Sequence, residues 1–303
     1  MDTDNPAPGV RPSLAELIAL RARVLAWPPP QRSHGSQAGP SNSPLRGRGM
    51  DYAESRPYAQ GDDARHIDWR VTARTGRTHT KIFHAERDLV TLLVADTAPT
   101  LYFGTRSCFM SVQAARVGAL SCWAAQRSGD RIAVLRGSDV EAPLPPMGGA
   151  RGALRVLGAL ARWYAQVPPD DAGIERALQS AGRVSKPGSR IIALLDPRSI
   201  EPVADARWSA LSAHHDAIAV ILVDPLELLP PKGLLSFVAG LQRFELDLAD
   251  AITRKGWEMS FAARIQTARE RLQRLGWRTL MLRTDEAPDT VLAALLPHRR
   301  EAA

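Results

Sequence analysis

The chain has 303 residues, which is enough for one domain of about 200 residues with a sizeable extension, or for two domains. Hydrophobic residues make up 45% of it, which excludes a chain that is disordered throughout. The net charge is +7 and nearly all of the positive charge is arginine. Such a balance can favour nucleic acid, an anionic membrane or an acidic partner, or it can reflect a genome that prefers arginine to lysine.

Neither a membrane span nor a secretion signal is visible in the sequence. No apolar run approaches the roughly 18 to 20 residues that cross a bilayer. The N-terminal residues 1–5 lack the basic and apolar regions of a signal peptide. We therefore expect a cytoplasmic protein that does not insert into a membrane directly.

The N-terminal extension, residues 1–86, is expected to contain a helix, an irregular segment and a compact polar motif that packs on the core. Ser13 is a candidate N-cap for a helix over 12–27, which ends at a run of three prolines. Residues 31–50 are rich in Ser, Gly, Pro and Arg and indicate irregular structure. Residues 78–83 alternate polar and apolar side chains like a short strand.

From residue 87 to 303, apolar strand-like runs alternate with helical segments. Strands are predicted at 89–95, 130–135, 190–195, 216–223 and 278–282, and helices at about 107–127, 151–166, 171–183, 199–213, 260–275 and 288–297. Residues 140–144 are expected to pair antiparallel with the second strand, and 233–249 look like an inserted β-hairpin. The pattern predicts an α/β fold with a doubly wound, mostly parallel, Rossmann-like sheet, an N-terminal extension and an inserted β-hairpin.

Three aspartates follow predicted strands directly: Asp96, Asp196 and Asp224. Ligands of open α/β sheets bind at that edge, near the point where the strand order reverses. Neighbouring parallel strands would bring Asp96 and Asp196 together, and with the hydroxyls of Thr97 and Thr100 they would form an oxygen-rich site suited to Mg²⁺. The alternative is that these aspartates cap the following helices, and the proline after Asp224 favours that role there.

A dense polar motif precedes the first buried strand. Its members are Glu54, Arg56, Tyr58, Gly61, Asp62, Asp63, Arg65, Asp68 and Trp69. Charges beside apolar residues need partners, because an unpaired charge at an apolar surface is costly. The motif is therefore expected to fold onto something and to hold its polar groups in fixed positions.

Two interpretations of this motif stay open. In the structural one, Arg65 pairs with Asp62 or Asp63, while Ile67 and Trp69 anchor the segment on the following domain and Gly61 makes a turn. In the functional one, Tyr58, Asp62, Asp63 and Arg65 form an exposed docking surface. We favour the structural role for Gly61, Ile67 and Trp69, and leave both roles open for the charged residues.

The order of these residues resembles one known family. Glu54-Ser-Arg56-x-Tyr58-x-x-Gly61-Asp62-Asp63-x-Arg65-x-Ile67-Asp68-Trp69, followed by Lys81, Glu86 and Leu93-Val-Ala-Asp96, is similar to the bacterial domain of unknown function 58. The resemblance implies a von Willebrand factor A-like domain after the motif. It also implies an association with MoxR-type AAA+ ATPases that assemble or activate other protein complexes, and with other A-type domain proteins of the same system. It implies no catalytic residues.

A-type domains often bind a divalent ion at a metal-ion-dependent adhesion site, with Asp-x-Ser-x-Ser in a first loop and a threonine and an aspartate from later loops. Here Asp96 matches, Ala98 lacks the first hydroxyl, and Thr100 replaces the second serine. Asp196 can stand for the later aspartate, and the threonine loop is expected near residues 147–150, which have no hydroxyl. The resemblance thus implies a degenerate site, either a weak Mg²⁺ site completed by water or a partner's carboxylate, or a metal-free relic.

The leading functional hypothesis is a non-enzymatic protein-binding adaptor that works with a MoxR-type ATPase. The sequence contains no GxSxG, HExxH or P-loop motif. The alternatives are a metal-dependent hydrolase that uses Asp62, Asp63, Asp68 and Asp96, and a nucleic-acid-binding protein that uses the arginine-rich surface. We do not expect nucleic acid as a partner, because no pattern of interleaved aromatic and basic residues is visible.

Overall fold

The computed structural model describes residues 9–27, 50–59, 61–85, 89–239 and 242–296, without the side chains of 50–54, 82–85 and 239. Nearly all of the expected irregular segment, and also Glu86, lie outside the described residues. The chain divides into two compact units: the smaller one is Arg32–Asp88, and the larger one combines Met1–Gln31 with Leu89–Ala303.

Two short helices, α1 (Leu14–Ala19) and α2 (Arg21–Ala26), replace the single helix predicted over 12–27. The hydroxyl of Ser13 accepts a hydrogen bond from the Glu16 N–H (3.1 Å), so the predicted N-cap is confirmed. Near the break, the carbonyl of Leu17 accepts a bond from the indole N–H of Trp123 (3.0 Å). This bond ties the helix pair to the core of the larger unit.

The smaller unit is an antiparallel ribbon of β1 (Met50–Pro57) and β2 (His79–Ala85) with one helix, α3 (Trp69–Thr75), in the connection. A bulge between residues 52 and 54 shifts the register of the ribbon. The strand predicted over 78–83 is confirmed as β2. The connection also contains a 3₁₀ turn, Ala64–His66. The whole polar motif, residues 54–69, lies within this unit.

The larger unit carries the alternating elements that the sequence predicts. In chain order they are β3 (Val90–Ala95), α4 (Met110–Ser128), β4 (Arg131–Arg136), β5 (Leu144–Met147), α5 (Gly149–Trp163), α6 (Gly173–Val184), β6 (Arg190–Leu195), α7 (Pro197–Ile200), α8 (Asp205–Ser212), β7 (Asp216–Val223), α9 (Pro225–Leu228), β8 (Leu234–Ala239), β9 (Gln242–Asp247), α10 (Ala251–Ser260), α11 (Ala262–Arg274), β10 (Arg278–Arg283) and α12 (Leu292–Leu295).

A six-stranded sheet in the order β10-β7-β6-β3-β4-β5 forms the centre of this unit. All neighbouring pairs are parallel except β4 and β5, which are antiparallel. After β3 the chain adds β4 and β5 on one side of β3, and then adds β6, β7 and β10 on the other side. The direction in which strands are added therefore reverses between β3 and β6. The fold is therefore mixed α/β with a mostly parallel, Rossmann-like sheet, as predicted, and its switch point lies where Asp96 and Asp196 emerge.

Helices cover both faces of the sheet. Side chains along each strand point alternately to the two faces, so they pack in two separate hydrophobic cores. Leu93 and Ala95 pack in one core with α1, α2, α4, α5 and α12. Leu92 and Val94 face the other core, which contains side chains of α6, α8 and α11. Strands buried on both faces explain why the sequence shows continuous apolar runs rather than alternation.

Several element boundaries differ from the prediction. The predicted helix over 199–213 is two helices, because Pro202 cannot continue the first one. The β5 strand begins at Leu144 rather than at Val140, because the Ser138 hydroxyl accepts the backbone N–H of Val140 (3.0 Å) and holds a turn. The helix predicted over 288–297 begins as the 3₁₀ turn Pro288–Val291 before α12. Helix α10 was not predicted, and none of its residues is buried.

The predicted hairpin insertion is confirmed as the antiparallel pair β8 and β9. Phe237 and Phe244 stack across it with ring centroids 5.6 Å apart, and the Phe237 ring lies 5.3 Å from that of Trp257 in α10. These ring contacts hold the hairpin and α10 together in the absence of buried residues in α10. No helix among the described residues is long and apolar enough to cross a membrane.

Candidate functional site

Asp96 and Asp196 lie side by side at the switch point of the sheet, as the sequence predicts. Asp96 follows β3 and Asp196 follows β6, and the two strands pair in parallel. The backbone N–H of Asp196 donates to Asp96 Oδ2 (3.0 Å), and the N–H of Ala98 donates to Asp96 Oδ1 (3.0 Å). Both aspartates are buried, so two carboxyl groups share a site with little access to water.

The burial of Asp96 determines its protonation. Loss of water around the carboxyl raises its pKa to about 6, and the neighbouring Asp196 contributes to the rise. The hydroxyl of Ser199 and the N–H groups of Ala98 and Asp196 act in the opposite direction, because hydrogen bonds favour the ionised form. Asp96 is thus a buried acid that titrates within the range of common buffers.

One carboxylate oxygen of Asp196 accepts hydrogen bonds, and the other has no hydrogen-bond partner among the described residues. Its Oδ1 accepts the backbone N–H of Arg198 (2.6 Å) and the Arg198 Nε–H (3.2 Å), so the carboxyl caps α7. Its Oδ2 is buried and has no hydrogen-bond partner among the described residues. A fully buried carboxylate oxygen without a donor is unusual in a protein, which marks this atom as a place where a ligand could bind.

Arg198 connects two adjacent strand ends. One of its terminal N–H groups donates to Glu227 Oε1 (2.9 Å), while Nε bonds to Asp196. Glu227 is buried, and burial raises the pKa of its carboxyl. The guanidinium group also lies 6.0 Å from the ring centroid of Phe261, within range of a cation–π interaction.

Asp224 has a structural role, as predicted from the proline that follows it. It forms a capping box with Glu227, accepting the Leu226 N–H (3.0 Å) while its own N–H donates to Glu227. It also accepts the backbone N–H of Thr105 (2.9 Å), the Thr105 hydroxyl (2.5 Å) and the Thr284 hydroxyl (2.7 Å). Four donors saturate this buried carboxylate, which fastens the loop after β3 to the ends of β7 and β10.

The hydroxyl groups of the first loop are arranged differently from the expectation. Thr97 is buried and donates to Asp171 Oδ1 (2.6 Å), while Thr100 is half-buried in the 3₁₀ turn Pro99–Leu101. The threonine loop was expected near residues 147–150, and that prediction is wrong. Because β5 runs antiparallel, Met147 pairs with Ile132 near the start of β4, at the opposite edge of the sheet.

Asp171 and Ser199 were missed by the sequence reasoning. Asp171 lies in the loop before α6 and meets Thr97 at a separation of 74 residues in the chain. Its signal in the sequence was the acidic pair Asp170-Asp171 just before the helix that leads into β6. Ser199 lies within α7 and gave no signal, because a serine in a helix near an aspartate is common.

The oxygen atoms at this edge of the sheet do not form a complete metal site by themselves. Among the described residues, no group of three or more His, Cys, Asp or Glu side chains is arranged to hold a metal ion. Both oxygens of Asp96 accept backbone N–H bonds, the Thr97 hydroxyl is used by Asp171, and Ala98 has no hydroxyl. The Oδ2 atom of Asp196 and the hydroxyl of Thr100 remain, so water or a partner would have to supply most of the six oxygen ligands of a Mg²⁺ ion.

In the smaller unit, the aspartates of the polar motif stabilise its local fold. Asp62 accepts the Ala59 N–H (2.9 Å) and pairs with Arg56 (2.6 Å), and the first of these bonds is the main reason that its pKa is lowered. Gly61, in the same turn, has φ of +108°, a conformation that favours glycine.

The other two motif aspartates act as helix caps. Asp63 accepts the Arg65 N–H (2.9 Å) and begins the 3₁₀ turn, while the Arg65 Nε lies 3.6 Å from the same carboxyl. Asp68 accepts the N–H groups of Arg70 and Val71 (both 3.1 Å) and so caps α3. The hydroxyl of Ser55 donates to Asp68 (2.7 Å) and is the main cause of the lowered pKa of that carboxyl.

Six members of the motif are exposed among the described residues: Arg56, Tyr58, Gly61, Asp63, Arg65 and Trp69. We call Tyr58, Arg65 and Trp69 the motif surface. The side chain of Arg65 is 88% exposed, and Trp69 is 69% exposed. The interpretation of Trp69 as an anchor gains no support within the smaller unit, where α3 buries none of its residues. Glu54 belongs to β1, and its side chain lies outside the described residues.

Comparison with known proteins now identifies the family. The family model described as "Protein of unknown function DUF58" matches residues 54–269. The chain belongs to the DUF58 family. Uncharacterized proteins of Mycobacterium bovis and Mycobacterium tuberculosis are 29% identical to this DUF58 chain over 276 residues, covering 88% of it and 85% of each relative.

Two solved structures are also similar to the DUF58 chain. An aerotolerance-related membrane protein from Bacteroides fragilis matches with a TM-score of 0.45 and 13% identity, over 68% of this chain and 96% of that one. An uncharacterized membrane spanning protein from Vibrio fischeri matches with a TM-score of 0.23 and 15% identity, over 69% and 99% of the two chains. At these scores the likenesses carry no argument about function.

An open groove of about 440 Å³ lies beside the carboxyl edge of the DUF58 sheet. Its walls include Phe103 and Thr105 of the loop after β3, Leu226 and Leu229 around α9, and Phe237 of the hairpin. Because Asp224 bonds to both Thr105 and Leu226, the same carboxylate that fastens the loop also fixes two walls of the groove.

Proposed function

We propose that this DUF58 protein is a non-enzymatic protein-interaction module that works with a MoxR-type AAA+ ATPase to assemble or activate another protein complex. The observation that carries the proposal is the exposure of Trp69 on a motif whose frame is fixed by hydrogen bonds. A large exposed aromatic next to an exposed arginine is the composition typical of interface hot spots, where Trp, Tyr and Arg are enriched.

The use of the motif aspartates supports binding rather than catalysis. Asp62, Asp63 and Asp68 each accept backbone N–H bonds that hold a turn or a helix start. Two-metal hydrolysis needs carboxylates whose oxygens are available to ions. A hydrolase would therefore have to break the local fold of the motif to use them, and the hydrolase alternative draws no support from the geometry.

The proposal includes a second contact surface at the carboxyl edge of the larger unit. The reversal of strand order at Asp96 and Asp196 supports assigning this unit as von Willebrand factor A-like, with a degenerate adhesion site formed by Asp96, Thr100 and Asp196. Partner proteins of A-type systems, including other A-type domain proteins, would approach this edge. The Oδ2 atom of Asp196 supports this assignment, because it has no hydrogen-bond partner among the described residues. A partner protein could supply the missing hydrogen-bond donor.

The test is a direct binding measurement between the purified full chain and the MoxR-type ATPase of the same organism, by biolayer interferometry with ATP and Mg²⁺. Wild-type protein should bind at micromolar concentrations, and Trp69→Ala should weaken binding by at least about tenfold. Ile252→Ala is the matched control, because this apolar residue is 84% exposed in the larger unit and should bind like the wild type.

Circular dichroism should show the same folded content for all three proteins, because neither substituted side chain is buried. The proposal fails if the wild type does not bind the ATPase at micromolar concentrations. The role of the motif surface fails if Trp69→Ala and Ile252→Ala bind equally well.

A further inference from the structure

Four buried carboxyl groups lie at the carboxyl edge of the sheet, where few water molecules can solvate their charge. Asp96, Asp196, Asp224 and Glu227 all emerge at the ends of β3, β6 and β7, and all four are buried. Buried carboxylates are costly unless they are protonated, hydrogen-bonded or paired with a cation. Hydrogen bonds saturate Asp224, but Asp196 keeps one oxygen without a donor among the described residues.

Arg198 is the cation of this group. Within the described part of the chain, it is the one positively charged side chain that hydrogen-bonds to any of the four carboxylates. It bridges Asp196 Oδ1 (3.2 Å) and Glu227 Oε1 (2.9 Å), and so places its charge between the ends of β6 and β7. Its side chain is 31% exposed, so water and ions can reach it.

We infer that Arg198 takes the electrostatic place of a divalent ion at this edge, and that removing its guanidinium turns Asp196 and Glu227 into a divalent-cation site. A delocalised guanidinium satisfies two carboxylates at once, which is the role a bound cation would otherwise have. Its positive charge also repels an approaching ion at short range. The missing hydroxyl at Ala98 and the occupied oxygens of Asp96 agree with a site that does without a metal.

Loss of the guanidinium would free carboxylate oxygens that can act as metal ligands. Glu227 Oε1 would lose its partner, and Asp196 would keep one backbone N–H on Oδ1 and nothing on Oδ2. Together with water, these carboxylate oxygens match the preference of Mg²⁺ and Mn²⁺ for a few carboxylates and several retained waters. The inference concerns the ion balance of the larger unit alone and does not depend on binding of the ATPase.

The test is a titration of the full-length protein with Mn²⁺, read as the loss of the EPR signal of the free ion, and repeated with Mg²⁺ by calorimetry. Arg198→Ala and Arg198→Gln should each bind the ion at least about tenfold more tightly than the wild type, because a neighbouring positive charge has gone. Arg198→Lys should behave like the wild type. In the Arg198→Ala/Asp196→Asn double variant, the gain should disappear.

Arg278→Ala is the matched control. Its side chain is 42% exposed and its guanidinium pairs with Asp216 (2.9 Å) at the start of β10, at the opposite edge of the sheet. It loses one comparable ion pair without releasing the carboxylates of the site, so its affinity for Mn²⁺ should equal that of the wild type.

Three results would overturn the inference, the third of which applies only if the neutral variants do not fold without divalent ions. One is micromolar Mn²⁺ binding by the wild type that disappears in Asp196→Asn; another is folded neutral variants that gain no affinity. If both neutral variants unfold in buffer without divalent ions, about 10 mM Mg²⁺ at constant ionic strength should restore their thermal transition, and absence of that rescue would also refute the inference.

Discussion

Replacing Asp224 by alanine should be among the most destabilising polar substitutions in the larger unit. The carboxylate accepts four hydrogen bonds, from the N–H groups of Leu226 and Thr105 and from the hydroxyls of Thr105 and Thr284. Loss of the cap of α9 costs about 1 kcal/mol. The buried Thr284 hydroxyl, left without an acceptor, adds about 1–3 kcal/mol, and the two bonds to exposed Thr105 add about 1 kcal/mol.

The sum predicts a loss of about 3–5 kcal/mol in the free energy of unfolding, a large part of the roughly 5–15 kcal/mol that stabilises a typical domain. Urea denaturation followed by tryptophan fluorescence and circular dichroism would measure it. Thr105→Ser keeps the hydroxyl and the backbone N–H, so its stability should stay close to that of the wild type. A loss below about 1 kcal/mol in Asp224→Ala would refute the claim that this carboxylate fastens the loop.

Five further substitutions test the structure in three ways. Gly137→Ala should destabilise the protein, because the added Cβ would lie 2.0 Å from a backbone oxygen, whereas Gly158→Ala meets nothing within 4 Å in α5 and should stabilise it by about 0.5–1 kcal/mol in thermal melts. Asp96 has a folded-state pKa of about 6, above the unfolded value of 3.8, so its stabilising contribution is present below pH 3.8 and is lost as the pH rises through 6. The free energy of unfolding of Asp96→Asn, relative to that of the wild type, should therefore rise by up to about 3 kcal/mol between pH 4 and 7. If urea denaturation gives the same difference between the two proteins at every pH, this reasoning is refuted. Trp69→Ala should change stability by less than about 0.5 kcal/mol, whereas Trp208→Ala, which removes a fully buried ring, should cost about 3–5 kcal/mol by the same urea titration.

The larger unit was predictable because its signals are local. A strand buried on both faces must be apolar throughout, so β3, β6 and β7 could be located to within a residue or two. Alternation with helices then implied a parallel sheet, and parallel neighbours implied that Asp96 and Asp196 meet. Helix α10 was missed, since its contact with the hairpin through the rings of Trp257 and Phe237 cannot be read from the spacing of its own apolar residues.

The contacts that determine the chemistry of the site were not predictable in this way. The Thr97–Asp171 bond joins loops far apart in the chain, and the Arg198–Glu227 bond joins the ends of two different strands. Nothing in the local sequence specifies which hydroxyl or guanidinium will reach a given carboxylate. The exposure of Trp69 escaped for a related reason, since apolar character alone does not say whether a core is within reach of the side chain.

Asp196 and Asp224 show how little the position of a residue in the sequence says about its role. Both follow a buried strand, both precede a proline at the start of a short helix, and both are fully buried. Four donors surround Asp224, and its contribution is to stability. Asp196 has donors on one oxygen, a guanidinium that water can reach, and a second oxygen with no partner among the described residues. The number of donors around each carboxylate, which only the folded chain determines, therefore separates a structural cap from the place where a ligand or partner can act.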